Sequence, residues 1–270
     1  MPISRRTGVD IYYEKTGSGP PLVLIHAIPF DHRMWIYQAA TFSAHFTCIA
    51  MDIRALGQSG KPDQPCSLRD MADDIMGVLT EEGVSSDAIV MGCSIGSKLA
   101  MLLACDHPDV FKACIAVGGT SEKQGNFDHR INAYLEHQKN DTLGEYHLGH
   151  LRHGVTKEWA ETPIGRYLID GFARRGKTID SRALVHLFRV LQESDITGKL
   201  PACKVPILIV NGEHDSARSG GARTHELFPH IAQKILPGTG HCCMLEDPAG
   251  FDRLVIDFIE TNGLMKGNAQ

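Results

Sequence analysis

Ala88-Ile89-Val90-Met91-Gly92-Cys93-Ser94-Ile95-Gly96 is followed, after Ser97, by Lys98-Leu99-Ala100-Met101-Leu102-Leu103-Ala104. The first part opens with a short apolar run, the second is a helical pattern, and a Gly-x-Ser-x-Gly turn joins them. A strand that meets a helix through one sharp turn forces the central residue into a strained backbone. Glycines two residues either side leave the room this turn needs. The residue at the apex projects away from the sheet, and here it is Ser94. Alone, the string also fits a glycine-rich turn with an ordinary serine. Its neighbours along the chain decide between the two.

Upstream, Gly8–Glu14 is rich in β-branched and aromatic residues and reads as a strand closed by Gly17-Ser18-Gly19-Pro20-Pro21. Leu22–His26 and Phe46–Met51 are continuous apolar runs, the pattern of strands covered on both faces. Asp31 is placed to cap a helix through Met34, Trp35 and Ala39, and Ser67-x-x-Asp70 forms a capping box before a second helix that stops at Gly83. Ala113–Val117 is another buried strand. Strands alternating with helices in this rhythm imply βαβ units, hence an α/β fold with a mostly parallel central sheet and helices on both faces.

From Gly119 to Leu200 the rhythm breaks. No buried strand is expected there, and helices are expected over Ile131–Gln138, Leu143–Leu151, Lys157–Phe172 and Ser181–Gln192, with Arg174-Arg175-Gly176-Lys177 as a polar break. This divides the chain into a core, 1–119 and 201–270, and a helical cap insertion, 120–200. Val205–Val210 resumes the buried-strand pattern and leads into Asn211-Gly212-Glu213-His214-Asp215. Gln233–Leu236 is a last strand, ending in Pro237-Gly238-Thr239-Gly240-His241. Asp247 then caps a final helix with Pro248 at its first position.

In an open parallel sheet, ligands bind beyond the carboxyl ends of the strands. Ser94, Asp215 and His241 all lie at such ends. A serine hydroxyl is a weak nucleophile at neutral pH. It needs a base in hydrogen-bond reach, and that base needs a partner to hold its tautomer. Glu213 is also acidic, but the Gly-x-x-Asp spacing favours Asp215. His26 is expected to be structural, and Asp52 and Arg54 to pair and brace their own loop.

The sequence resembles the α/β-hydrolase superfamily over nearly its whole length. His26-Ala27-Ile28-Pro29-Phe30-Asp31 is similar to its oxyanion loop, and Asp52-Ile53-Arg54-Ala55-Leu56-Gly57-Gln58-Ser59 to its Asp-x-Arg-Gly-x-Gly-x-Ser loop. Gly92–Gly96 resembles its nucleophile elbow, Gly212–Asp215 its acid loop and Gly240-His241 its histidine loop. The stretch from His26 to Trp35 most resembles the 3-oxoadipate enol-lactonase and small-esterase branch. The resemblance implies a Ser94–His241–Asp215 triad and an oxyanion hole made by the backbone N–H groups of Ile28 and Ile95. It implies no cofactor and no metal, and hydrolysis of a small carboxylic ester or lactone through an acyl-enzyme. Ala27 and Ala55 stand where the family has glycine, and Ser97 where many members have one.

Two other functions use the same residues. One is a hydrolase of carbon–carbon bonds in ring-fission products, although the extended glycine-rich oxyanion loop of that branch is missing. The other is a ligand receptor on a hydrolase scaffold. Dehalogenases and epoxide hydrolases use aspartate where this chain has Ser94.

Composition narrows the partners. The 270 residues are 43% hydrophobic and 22% charged, with 27 basic and 32 acidic residues giving a net charge of −5. That balance and the lack of a basic run exclude a nucleic-acid footprint, leaving a small-molecule substrate. No apolar run reaches the length of a membrane span, and no signal-peptide pattern follows Met1, so a cytoplasmic enzyme is expected. The eight cysteines form no C-x-x-C pair and no zinc-ligand spacing. Among the fourteen histidines, His147, His150 and His153 recur at helical spacing, where a pocket-lining or solvated face is expected. With His129, His137, Arg166, Arg174 and Arg175 they are the cap's candidate pocket cations, and any that faced the pocket would imply an acidic substrate.

Overall fold

The computed structural model describes residues 2–175 and 178–264. Eight strands form one sheet: β1 (Ile3–Ser4), β2 (Ile11–Gly17), β3 (Pro21–Ile25), β4 (Thr47–Met51), β5 (Ala88–Cys93), β6 (Phe111–Val117), β7 (Ile207–Gly212) and β8 (Ala232–Leu236). Their order across the sheet is β1-β2-β4-β3-β5-β6-β7-β8. The β1–β2 and β2–β4 pairs are antiparallel and every pair from β4 to β8 is parallel.

The apolar runs account for this directly. β5 and β7 are buried at every position, as strands covered on both faces must be. Successive side chains alternate between two cores. Val23 and Ile25 join one, with α2 (Leu68–Glu81) and α3 (Ile95–Asp106) packed over it. Leu22 and Leu24 join the other, beneath α1 (Ile36–Phe42) and, later in the chain, the helix over Pro248–Thr261.

Local signals behave as their chemistry dictates. Ser67 and Asp70 make a reciprocal capping box at the start of α2, and Gly83, at φ +70°, follows its last turn. Asp31 does cap, but it caps a 3₁₀ turn over His32–Trp35 that precedes α1. The first long strand starts later than its residues suggest, because Gly8 at φ +83° is still part of a turn.

Between β6 and β7 lie α4 (Asp128–Lys139), α5 (Leu143–His153), α6 (Lys157–Ala160), α7 (Pro163–Ala173) and α8 (Ser181–Glu193). The helix expected over Lys157–Phe172 is two. Thr162 accepts the Gly165 N–H, and Pro163, with no N–H to give, starts a new helix rather than continuing the old one. The Gly176-Lys177 part of the expected polar break lies outside the described residues. After β7 come α9 (Arg218–Leu227), α10 (Cys243–Glu246) and α11 (Pro248–Thr261), the last capped by Asp247 as its sequence indicates. No helix among the described residues is long and apolar enough to cross a membrane.

Candidate active site

Ser94 ends β5 and begins α3. Its backbone sits at φ 56° and ψ −114°, a region that costs a non-glycine residue roughly 1–3 kcal/mol. The neighbourhood holds it there. The Ser94 N–H donates to Val117 O at 2.8 Å, and the Ser94 carbonyl accepts from the Ser97 N–H at 3.0 Å and the Ser97 hydroxyl at 2.6 Å. Ser97 therefore braces the elbow, and Gly119 makes room for it: a Cβ on Gly119 would lie 1.7 Å from Ser97 Oγ. Both motif glycines are required by close approach. A Cβ on Gly92 would lie 2.0 Å from Gly96 O, and one on Gly96 2.3 Å from Ile25 O.

Asp215 follows β7 and His241 follows β8. The two loops are clasped by a backbone approach so tight that a Cβ on Gly212 would meet Gly240 O at 2.1 Å. His241 Nδ1 lies 2.8 Å from Asp215 Oδ1. The Asp215 carboxylate also accepts from the Ala217 N–H at 2.8 Å and the Asn211 amide at 3.0 Å. Burial alone would raise its pKa; the His241 bond and charge, with these two donors, outweigh burial and hold it below the usual carboxylate range. An ionised Asp215 accepts the Nδ1 proton and leaves Nε2 of His241 as the free basic nitrogen. Glu213 turns away and accepts from the Gly238 N–H at 2.9 Å.

Ser94 and His241 line one cavity of about 370 Å³, together with Ile28 and Gly118. Among the described residues no hydrogen bond joins Ser94 Oγ to His241; the two meet as walls of this cavity. Ile95 opens α3, so its N–H has no partner within the helix. Neither it nor the Ile28 N–H donates to a backbone carbonyl among the described residues. Cys93, Cys242 and Cys243 lie close by, and burial pushes their thiols up, Cys93 and Cys242 well above the ordinary value. They act as packing groups, not nucleophiles.

The loops at the ends of β3 and β4 are joined by His26. It is fully buried, its Nε2 accepts from the Ile53 N–H at 3.0 Å, and its Nδ1 lies 2.9 Å from Ala27 O. This is a neutral, structural imidazole, and burial pushes its pKa down. The expected Asp52–Arg54 pair does not form. Arg54 reaches across to Asp74 on α2, at 2.6 and 2.9 Å, while Asp52 accepts from His32 Nδ1 and from the His32 and Gln58 N–H groups, all at 2.7 Å. Of the two alanines in glycine positions, Ala55 adopts a left-handed φ of 71°. Ala27 has no left-handed φ and donates its N–H to Met34 Sδ at 3.4 Å, so its methyl group is accommodated.

Asp31, His32 and Asp52 bring three potential ligand atoms within 4.8 Å of one another. Each carboxylate already has a cation: Arg33 Nε lies 2.7 Å from Asp31, and His32 bonds Asp52. The cluster fits internal ion pairs, not a metal. His147, His150 and His153 do not converge as a ligand set among the described residues.

Helices between β6 and β7 supply one wall of the cavity. His150 and His153 line it; Arg166 instead bonds Glu161, and Arg175 approaches Asp31. Two contributors are missed by sequence reasoning. One is Arg130, a cation on α4 with no motif around it. The other is Gly118, at φ +58° after β6, where a Cβ would lie 2.6 Å from His241 Cε1.

Comparison with known proteins agrees with the fold. A curated relative, the 2-(acetamidomethylene)succinate hydrolase of Mesorhizobium japonicum, is 27% identical over 96% of this chain and 95% of its own. The enol-lactonase of Burkholderia xenovorans LB400 superposes with a TM-score of 0.84 at 21% identity, covering 96% of this chain and 100% of that one. Est816, described as an N-acyl homoserine lactone degrading enzyme, superposes with a TM-score of 0.79 at 25% identity over 95% of this chain and 100% of its own. The family profile of the alpha/beta hydrolase fold matches residues 20–248, and with the sheet order and loops described above the chain belongs to that family.

Proposed function

We propose that the protein is a cofactor-independent serine hydrolase that opens a small carboxylic ester or lactone through an acyl-enzyme. The observation that carries this reading is the 2.8 Å His241–Asp215 bond, which leaves His241 Nε2 free in the cavity that Ser94 also lines. Ser94 Oγ attacks the substrate carbonyl as His241 Nε2 takes its proton. Asp215 stabilises the imidazolium that forms. The carbonyl oxygen becomes an oxyanion between the Ile28 and Ile95 N–H groups, with the positive end of the α3 dipole behind it; one such donor is worth about 3 kcal/mol. His241 then returns the proton to the leaving alkoxide. A water molecule, deprotonated by the same nitrogen, attacks the acyl-enzyme, releases the acid and restores Ser94. The lactone-degrading activity named for Est816 and the hydrolase activity named for the Mesorhizobium relative support this chemistry.

Ser94→Ala tests it. Turnover of 4-nitrophenyl acetate is expected to fall by about 10³-fold or more, with an unchanged circular dichroism spectrum. A variant that keeps wild-type turnover overturns the reading.

A further inference from the structure

We propose that Arg130 anchors a carboxylate carried by the substrate, so that this cavity takes acidic esters or lactones; the proposal rests on the ester or lactone reading above. Arg130 projects from the first turn of α4 into the same cavity as Ser94 and His241. Its cap neighbours are committed elsewhere: Arg152 and Arg166 share Glu161, Arg182 holds Asp180 and Arg189 holds Asp128. Among the described residues no carboxylate lies within ion-pair distance of Arg130. Among the described residues the one acidic residue on the cavity wall is Glu122, 4.0 Å from Arg223, which also bonds Glu226 at 3.1 Å; Lys123 lines the same wall.

The guanidinium is nevertheless held in place. It lies 5.7 Å from the centre of the Phe127 ring, and its Nη1 is 3.4 Å from His150 Nε2. An arginine only donates, so His150 Nε2 accepts and its proton sits on Nδ1. That Nδ1–H points to Tyr134 Oη at 2.8 Å, and the Tyr134 ring is wholly buried against Tyr146 and Phe188. Burial, and then the Arg130 charge, push the His150 pKa down to about 3, so this imidazole stays neutral and does not repel an anion. The chain Tyr134–His150–Arg130 therefore fixes a cation using one of its five N–H groups and leaves the rest of a planar fork unmet by any acid. A carboxylate matches that fork with two parallel charge-assisted hydrogen bonds. Arg130 is in this reading a specificity residue, and His150 and Tyr134 position it.

The test compares matched esters. The 4-nitrophenyl esters of glutaric and adipic acid are assayed with the distal carboxyl free and with it methyl-capped, after subtraction of uncatalysed hydrolysis. Wild type is expected to prefer the free acid in kcat/KM by roughly tenfold or more for at least one chain length. Arg130→Gln should collapse that ratio to near one, and Arg130→Lys should restore part of it. A purely structural role would lower both rates together and leave the ratio alone. A wild-type ratio within threefold of one at both lengths, or a ratio unchanged in Arg130→Gln, overturns the proposal. If wild type hydrolyses no ester at all, the hydrolase reading fails separately. Calorimetric titration of glutarate then decides on Arg130: binding weakened by Arg130→Gln supports the anchor, and equal binding in both proteins overturns it.

Discussion

The imidazole of His241 rests against the α-carbon of Gly118. A Cβ at Gly118 would lie 2.6 Å from His241 Cε1, 2.7 Å from Nδ1 and 3.3 Å from Asp215 Oδ2. The end of β6 is thus the surface against which the His241–Asp215 pair is set, and only glycine leaves space for it.

Gly118→Ala follows from this contact. The new methyl group must displace the imidazole or the β6 end, and φ +58° is itself unfavourable for alanine by about 1 kcal/mol. Ester turnover is expected to fall by about 10²-fold, the scale for a base displaced by an ångström. The melting temperature should drop only modestly. Steady-state kinetics beside a thermal melt check it, and wild-type kcat in the variant contradicts it.

Buried histidines give stability two opposing pH dependences. His26, His147 and His150 are held neutral by burial, the last two with pKa values pushed down to about 4 and about 3. Their folded pKa values lie below the unfolded 6.5, so the unfolded chain binds more protons beneath that pH, and stability climbs as pH rises to 6.5. His32 is the reverse. Burial opposes its charge, but the Asp52 bond and charge prevail and raise its pKa. Its contribution is complete below pH 6.5 and is lost as pH rises through the folded value. Urea denaturation from pH 5 to 8, below the range in which Lys98 titrates, should therefore peak near neutrality. His32→Gln should remove the decline on the alkaline side and also cost about 3 kcal/mol at pH 6, because Asp52 keeps a buried charge without its cation. An unchanged alkaline slope would show that His32 is not the group responsible.

Lys98 gives a third prediction. It is wholly buried on α3, and its Nζ donates to Glu122 O at 2.7 Å and Ser194 O at 2.8 Å, one before α4 and one after α8. Burial pushes its pKa down from 10.5 to about 8. Between those values the unfolded chain holds a proton that the folded chain has released, so stability from this group rises with pH, by up to about 3 kcal/mol. Wild type should accordingly gain on Lys98→Met as pH is raised from 8 to 10.5, with tyrosine titration cancelling in the difference. A stability difference that is flat across this window refutes it. Hydrogen exchange in α4 and α8 should quicken in the variant, since both carbonyls lose their donor.

The path of the chain was written locally. Apolar runs specified the strands, because a strand covered on both faces has no polar positions to spare. Ser67-x-x-Asp70 and Asp247-Pro248 specified helix starts, because caps are satisfied by residues three apart. Gly92 and Gly96 marked the elbow, because a turn that tight excludes a Cβ. These rules act over a few residues, so sequence suffices for them. The parallel sheet then carries Ser94, Asp215 and His241 to the same edge. Contacts between distant segments had no such signature. Arg54 chose Asp74 over Asp52, Gly118 became the seat of His241, and Arg130 came to line the cavity with no acid within ion-pair distance among the described residues. Each depends on which surfaces pack together and on which charges are then buried beside one another: α2 against the loop after β4 for Arg54, the end of β6 against the loop after β8 for Gly118, and the helices between β6 and β7 over the sheet for Arg130.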